Sequence, residues 1–71
     1  MTPDVRIEAY RAWCLRKIAR AANPIGCATA GLVGKTAQKK FDVDVFTLEQ
    51  WLKRLRVDGV LAYTNGHWWA R

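Results

Sequence analysis

Apolar residues near the N-terminus recur at intervals of three and four: Ile7, Tyr10, Cys14, Ile18 and Ala21. That spacing places them on one stripe and predicts an amphipathic helix over about residues 3–22. Thr2-Pro3-Asp4 supplies its start, with Thr2 accepting from an orphan backbone N–H, Pro3 having no N–H to lose and Asp4 suiting the positive helix end. Asn23-Pro24-Ile25-Gly26 supplies its stop. Arg6, Arg16, Lys17 and Arg20 share another face, with Trp13 among them. Trp13 is therefore expected either to pack against a later element or to face a partner.

A second helix is expected over about 28–41, where Ala30, Val33, Ala37 and Phe41 keep helical spacing and Lys35, Gln38 and Lys39 lie opposite. Gly31 and Gly34 each cost a helix about 1 kcal/mol relative to Ala, so its start is expected to be weak or late. Asp42-Val43-Asp44 reads as a short turn, with an Asp able to take the left-handed conformation. The third helix, about 47–57, is the clearest. Thr47-Leu48-Glu49-Gln50 reads as a capping box with Thr47 as N-cap and Gln50 reaching back. Leu48, Trp51, Leu52 and Leu55 gather on its inner face, and Asp58-Gly59 ends it, Gly59 being free to take positive φ.

The remainder alternates around an Asn-Gly pair, which predicts a two-stranded hairpin over about 60–70. With Asn65-Gly66 as a two-residue loop, Thr64 faces His67, Tyr63 faces Trp68 and Ala62 faces Trp69. Trp68 and Trp69 then point to opposite faces of the ribbon, so one side cannot bury both. One is expected to pack on the helices with Trp51, and the other to stand exposed.

Composition narrows the class. The chain has 71 residues, 51% hydrophobic, and carries 12 Lys+Arg against 6 Asp+Glu, a net charge of +6. It is expected to form one folded domain, 1–71, with a positive surface potential that makes polyanions the first partners. Cys14 and Cys27 lie far from the single His67, so neither a zinc site nor a CxxC redox pair can be assembled. The two thiols read as buried hydrophobes in a reducing cytosol. Charges at Asp4, Arg6, Glu8, Arg11, Arg16, Lys17 and Arg20 leave no apolar run for an export or membrane signal, and a cytoplasmic location is expected.

Three segments taken together resemble the winged helix-turn-helix family: Ala37-Gln38-Lys39-Lys40-Phe41-Asp42-Val43-Asp44, then Thr47 to Leu55, then Asp58-Gly59-Val60-Leu61. The resemblance covers residues 28–71 in detail, and the first helix suits the family's leading scaffold helix. It implies an α+β fold, a three-helix winged helix-turn-helix with a C-terminal two-stranded β-hairpin wing. It also implies non-enzymatic double-stranded DNA binding, as a small transcriptional regulator or an accessory factor in recombination or replication. The chain departs from the family pattern in having Asp42 where many such turns have Gly, and Val45-Phe46 where recognition helices often begin with Ser, Thr or Arg. So compact a chain is compatible with a phage or mobile-element origin.

The outward face of the third helix carries Phe46, Gln50, Lys53 and Val57, flanked by Thr47 and Arg54 on one side and Glu49 and Arg56 on the other. In a major groove Gln50 can pair with adenine, and Lys53 or Arg54 with guanine. Glu49 can accept from cytosine or pair with Lys53 one turn away. The candidate DNA-contacting residues are therefore Thr47, Gln50, Lys53, Arg54 and Arg56 on this helix, Lys35, Lys39 and Lys40 for phosphates, and Asn65 and His67 at the hairpin tip. Arg16, Lys17 and Arg20 are further phosphate candidates, and Arg71 lies just past the hairpin. The alternative is a protein-interaction module, an adaptor or inhibitor of a nucleoprotein machine, using Trp13, Phe46 or an exposed hairpin Trp. Binding of single-stranded nucleic acid or RNA would need Trp68 or Trp69 exposed for stacking. A homodimer would use the first helix or the wing, and no membrane partner is expected.

Catalysis finds little material. Gly31-Leu32-Val33-Gly34-Lys35-Thr36 ends like a phosphate-binding loop, but Thr29 stands where that motif needs Gly, and no strand is expected before it. With one His, dispersed carboxylates and no Ser, no enzyme activity, metal or cofactor is expected.

Overall fold

The computed structural model describes residues 3–21 and 26–71. Its α+β architecture comprises α1 (Pro3–Arg20), β1 (Cys27–Ala28), α2 (Thr29–Val33), α3 (Lys35–Phe41), α4 (Val45–Val57), β2 (Leu61–Thr64) and β3 (His67–Ala70). The expected Thr2 cap and the stop at Asn23-Pro24-Ile25 lie outside the described residues. Among the described residues no helix is long and apolar enough to cross a membrane.

The stripe on α1 packs as its spacing requires, with Tyr10 and Cys14 at zero exposure and Ile7 and Ile18 half-buried. Ala21 lies past the helix end and is exposed. Burial disfavours the charged form of Cys14, whose thiol is pushed up to about 12. The same desolvation raises Tyr10, whose hydroxyl donates to the Leu32 carbonyl at 2.7 Å. Trp13 is packed rather than free. It stacks on Tyr10 at 5.9 Å and joins Phe41 and Trp51 in an aromatic cluster, with Lys17 Nζ lying 5.2 Å from its centroid.

The single second helix expected over 28–41 is two helices. Gly34 adopts an extended conformation (φ −74°, ψ −174°) between α2 and α3. A Cβ there would lie 2.6 Å from the Ala30 carbonyl oxygen, an approach that only glycine permits. Val33 and Ala37 are buried and Phe41 half-buried as the spacing requires, whereas Ala30 is exposed and Leu32 enters the core. α3 ends on Asp42 in the left-handed region (φ 53°, ψ 49°), as its side-chain type allowed.

The third helix starts two residues earlier than expected. Asp44, not Thr47, is the N-cap, its carboxylate accepting from Thr47 N–H at 2.8 Å. Thr47 is thus the third residue of α4, and the capping box with Gln50 is not the one formed. Leu48, Leu52 and Leu55 are buried, while Trp51 is half-buried against Tyr10 and Phe41.

The hairpin has the expected register: Thr64 opposite His67, Tyr63 opposite Trp68, Ala62 opposite Trp69. Asn65 (φ 51°) and Gly66 (φ 80°) both take the positive φ of a type I′ turn. The sheet, however, has three strands, in the order β1-β3-β2, because Cys27 pairs with Trp68 and Ala28 with His67. β3 is central, so the ribbon is not left as an isolated pair. α1 and α4 pack against this sheet.

Candidate nucleic-acid interface

The inner leucines of α4 fix what its other side presents. Leu48, Leu52 and Leu55 point into the core, so residues half a turn away must point out. Gln50 and Lys53 are exposed there, Arg54 and Arg56 are exposed on its two flanks, and Phe46 and Val57 expose 64% and 74% of their surface. Asp44 steadies the start of this helix. Its carboxyl is held below the usual carboxylate range, chiefly by the hydrogen bond from Thr47 N–H.

Two of these cations have local partners. Arg54 Nε donates to Asp58 Oδ2 at 3.2 Å on an exposed surface, a pairing worth little and readily exchanged for another anion. Arg56 lies with its guanidinium carbon 5.5 Å from the Tyr63 centroid, so the hairpin aligns it. Among the described residues the salt bridges are Arg54–Asp58 and Arg11–Glu8, and Glu49 is not paired with Lys53.

On the hairpin side, α4 borders a groove of about 360 Å³ lined by Thr29, Glu49, Leu52, Lys53, Arg56, Tyr63 and Trp68. Leu52, Tyr63 and Trp68 give it apolar surface, and its charged lining residues are Glu49, Lys53 and Arg56. Trp68 is 7% exposed and its Nε1–H donates to Thr29 Oγ1 at 2.8 Å, which ties the sheet to the start of α2. Trp69, on the opposite face, is 46% exposed. The two rings thus divide as the alternation required. The buried ring meets Thr29 and Tyr63 rather than Trp51, because Trp51 belongs to the α1 cluster.

The other predicted residues are distributed around this helix. Lys35 begins α3, and Lys39 and Lys40 lie in its last turn, all three exposed, on a helix that packs against α4. Asn65 is exposed at the hairpin tip, and His67 is half-buried with Nδ1–H donating to the Asn65 carbonyl at 3.0 Å. On α1, Arg16 and Arg20 are exposed. Arg6, on the same face of the helix by spacing, is half-buried. It donates to the Phe41 carbonyl and lies 5.5 Å from the Trp51 centroid, bolting α1 to α3 and α4.

The groove itself was not foreseen. Its Thr29 wall depends on β1, and a two-residue strand leaves no periodicity to find. The Asp44 cap did leave a signal, an Asp immediately before an apolar helical run, which the Thr47 box obscured.

The Gly31–Thr36 segment is helical around an extended Gly34, not a phosphate-cradling loop. A strand does precede it, contrary to expectation, but β1 is two residues long and antiparallel to its neighbour. No protein-family model, curated protein or solved structure matches the chain.

Proposed function

We propose that the chain is a non-enzymatic double-stranded DNA-binding domain of winged helix-turn-helix type. It would act in the cytoplasm, as a small transcriptional regulator or as an accessory factor in recombination or replication. The observation that carries this reading is the outward face of α4. Gln50 and Lys53 stand exposed on it, flanked by exposed Arg54 on one side and exposed Arg56 on the other, and the opposite side of the helix is anchored by three buried leucines.

An α-helix fits the major groove of duplex DNA, and base edges there offer the acceptors and donors that Gln, Lys and Arg recognise. Lys35, Lys39 and Lys40 on the neighbouring helix supply phosphate contacts, which position the protein without reading sequence. The Asn65-Gly66 tip provides a lateral contact from the hairpin as the wing. The net charge of +6 favours association with any such polyanion.

A protein partner is the second reading, supported by the exposure of Phe46, Val57 and Trp69. Titration of labelled duplex DNA against the protein at several salt concentrations separates the two. DNA binding requires log affinity to fall linearly with log salt, by about 0.9 for each phosphate neutralised. Lys53→Ala with Arg54→Ala should weaken binding about tenfold or more, and Lys39→Ala should reduce the slope by about 1. Duplex affinity that is undetectable near 50 mM salt, or that ignores these substitutions, refutes the DNA reading and favours the protein partner.

A further inference from the structure

Folding leaves Phe46 in water at the start of α4, on the same outward stripe as Gln50, Lys53 and Val57. It is not the centre of an apolar patch. Val45 beside it is only 40% exposed, and Val57 lies eleven residues on, about 16 Å along the helix, beyond Gln50 and Lys53. A protein hot spot needs surrounding contacts that exclude water, whereas the next residues along this stripe are Gln50 and Lys53, both exposed.

We infer that Phe46 is a specificity-determining residue that reads thymine methyl groups in the major groove beside adenine contacts from Gln50, which directs α4 to A·T-containing duplex. This rests on the DNA reading above.

Three features converge on it. The first turn of a groove-bound helix is the part that meets base edges, and Phe46 and Gln50 occupy the second and sixth positions of α4. The thymine C5-methyl is the one apolar group exposed in the major groove, and an aromatic side chain is among those that contact it. A Gln one turn further on, exposed and on the same stripe, matches the adenine N6/N7 pair. Lys53 on the same exposed stripe and the net charge of +6 make a nucleic acid the complementary occupant.

The test compares two polymer duplexes, alternating dA-dT and alternating dA-dU, which differ only by the methyl. Fluorescence anisotropy at fixed salt should show wild-type protein binding the thymine duplex about fourfold more tightly or better, the worth of burying one methyl group. Phe46→Ala should remove that preference while keeping the uracil-duplex affinity. Gln50→Ala should weaken both about tenfold or more and leave the thymine-to-uracil ratio unchanged. Because Phe46 is largely solvent-exposed, its loss should not unfold the chain, and circular dichroism checks this.

Equal wild-type affinity for the two duplexes, with the steep salt dependence intact, overturns the methyl inference and leaves the DNA reading standing. A thymine preference that survives Phe46→Ala overturns it too, since the preference then comes from duplex shape. Absence of binding to either duplex near 50 mM salt overturns both, and a protein interface then takes over Phe46.

Discussion

The hydroxyl of Thr29 and the indole of Trp68 lie 39 residues apart in sequence and 2.8 Å apart in space. Their bond closes the one wall of the groove that is not built from α4 or the hairpin. Replacing the hydroxyl by a methyl leaves the shape almost unchanged but strips the largely buried N–H of its acceptor. Thr29→Val is therefore expected to destabilise the fold by about 1–3 kcal/mol, measured by urea denaturation at neutral pH. No loss of stability would show that water reaches the indole. Sequence spacing correctly placed Tyr10 and Cys14 inside and divided Trp68 from Trp69, because alternation and the helical stripe are local geometric rules. It did not identify the partners of those rings. Trp51 and Trp68 are equally aromatic in sequence, and only the packing of α1 against α4 assigns Trp51 to Tyr10 and Phe41.

At the element scale, Gly34 divides α2 from α3. Its extended conformation lets α2 and α3 meet at an angle, and the Ala30 carbonyl occupies the space a side chain would need. Gly34→Ala gains helix propensity yet is expected to cost about 1–3 kcal/mol, the usual penalty of forcing backbone aside in a packed site. Thermal unfolding would detect it, and a raised melting temperature would mean that the two helices can merge without strain. The hairpin was legible down to its register because Asn-Gly demands one turn type and that turn fixes the pairing. The break at Gly34 was legible only as a weakened helix, since the cost of glycine says nothing about which backbone approaches it. The start of α4 moved to Val45 because a carboxylate two residues after the left-handed Asp42 satisfies the Thr47 N–H first.

Across the whole molecule, the charge excess and the order of helices before hairpin were readable from composition and periodicity, while the division of the second helix and the shape they produce were not. β1 adds a third strand that makes β3 central and brings Thr29 to the groove, and nothing in Cys27-Ala28 announces it. The candidate site is legible as a face of α4 and incomplete as a surface, because its hairpin border depends on the Arg56 to Tyr63 contact and on Trp68. The exposed Trp69 lies on the opposite face of the sheet from Trp68, so two distinct surfaces compete for a partner. Backbone amide shifts of labelled protein, recorded while duplex DNA is added at low salt, decide between them most directly. The account predicts that the changes concentrate in α4 from Phe46 to Val57, with a second group at Asn65 and Gly66, and that they reverse as salt is raised. Changes centred on Trp69 and the outer sheet face, or no changes at all, would contradict it.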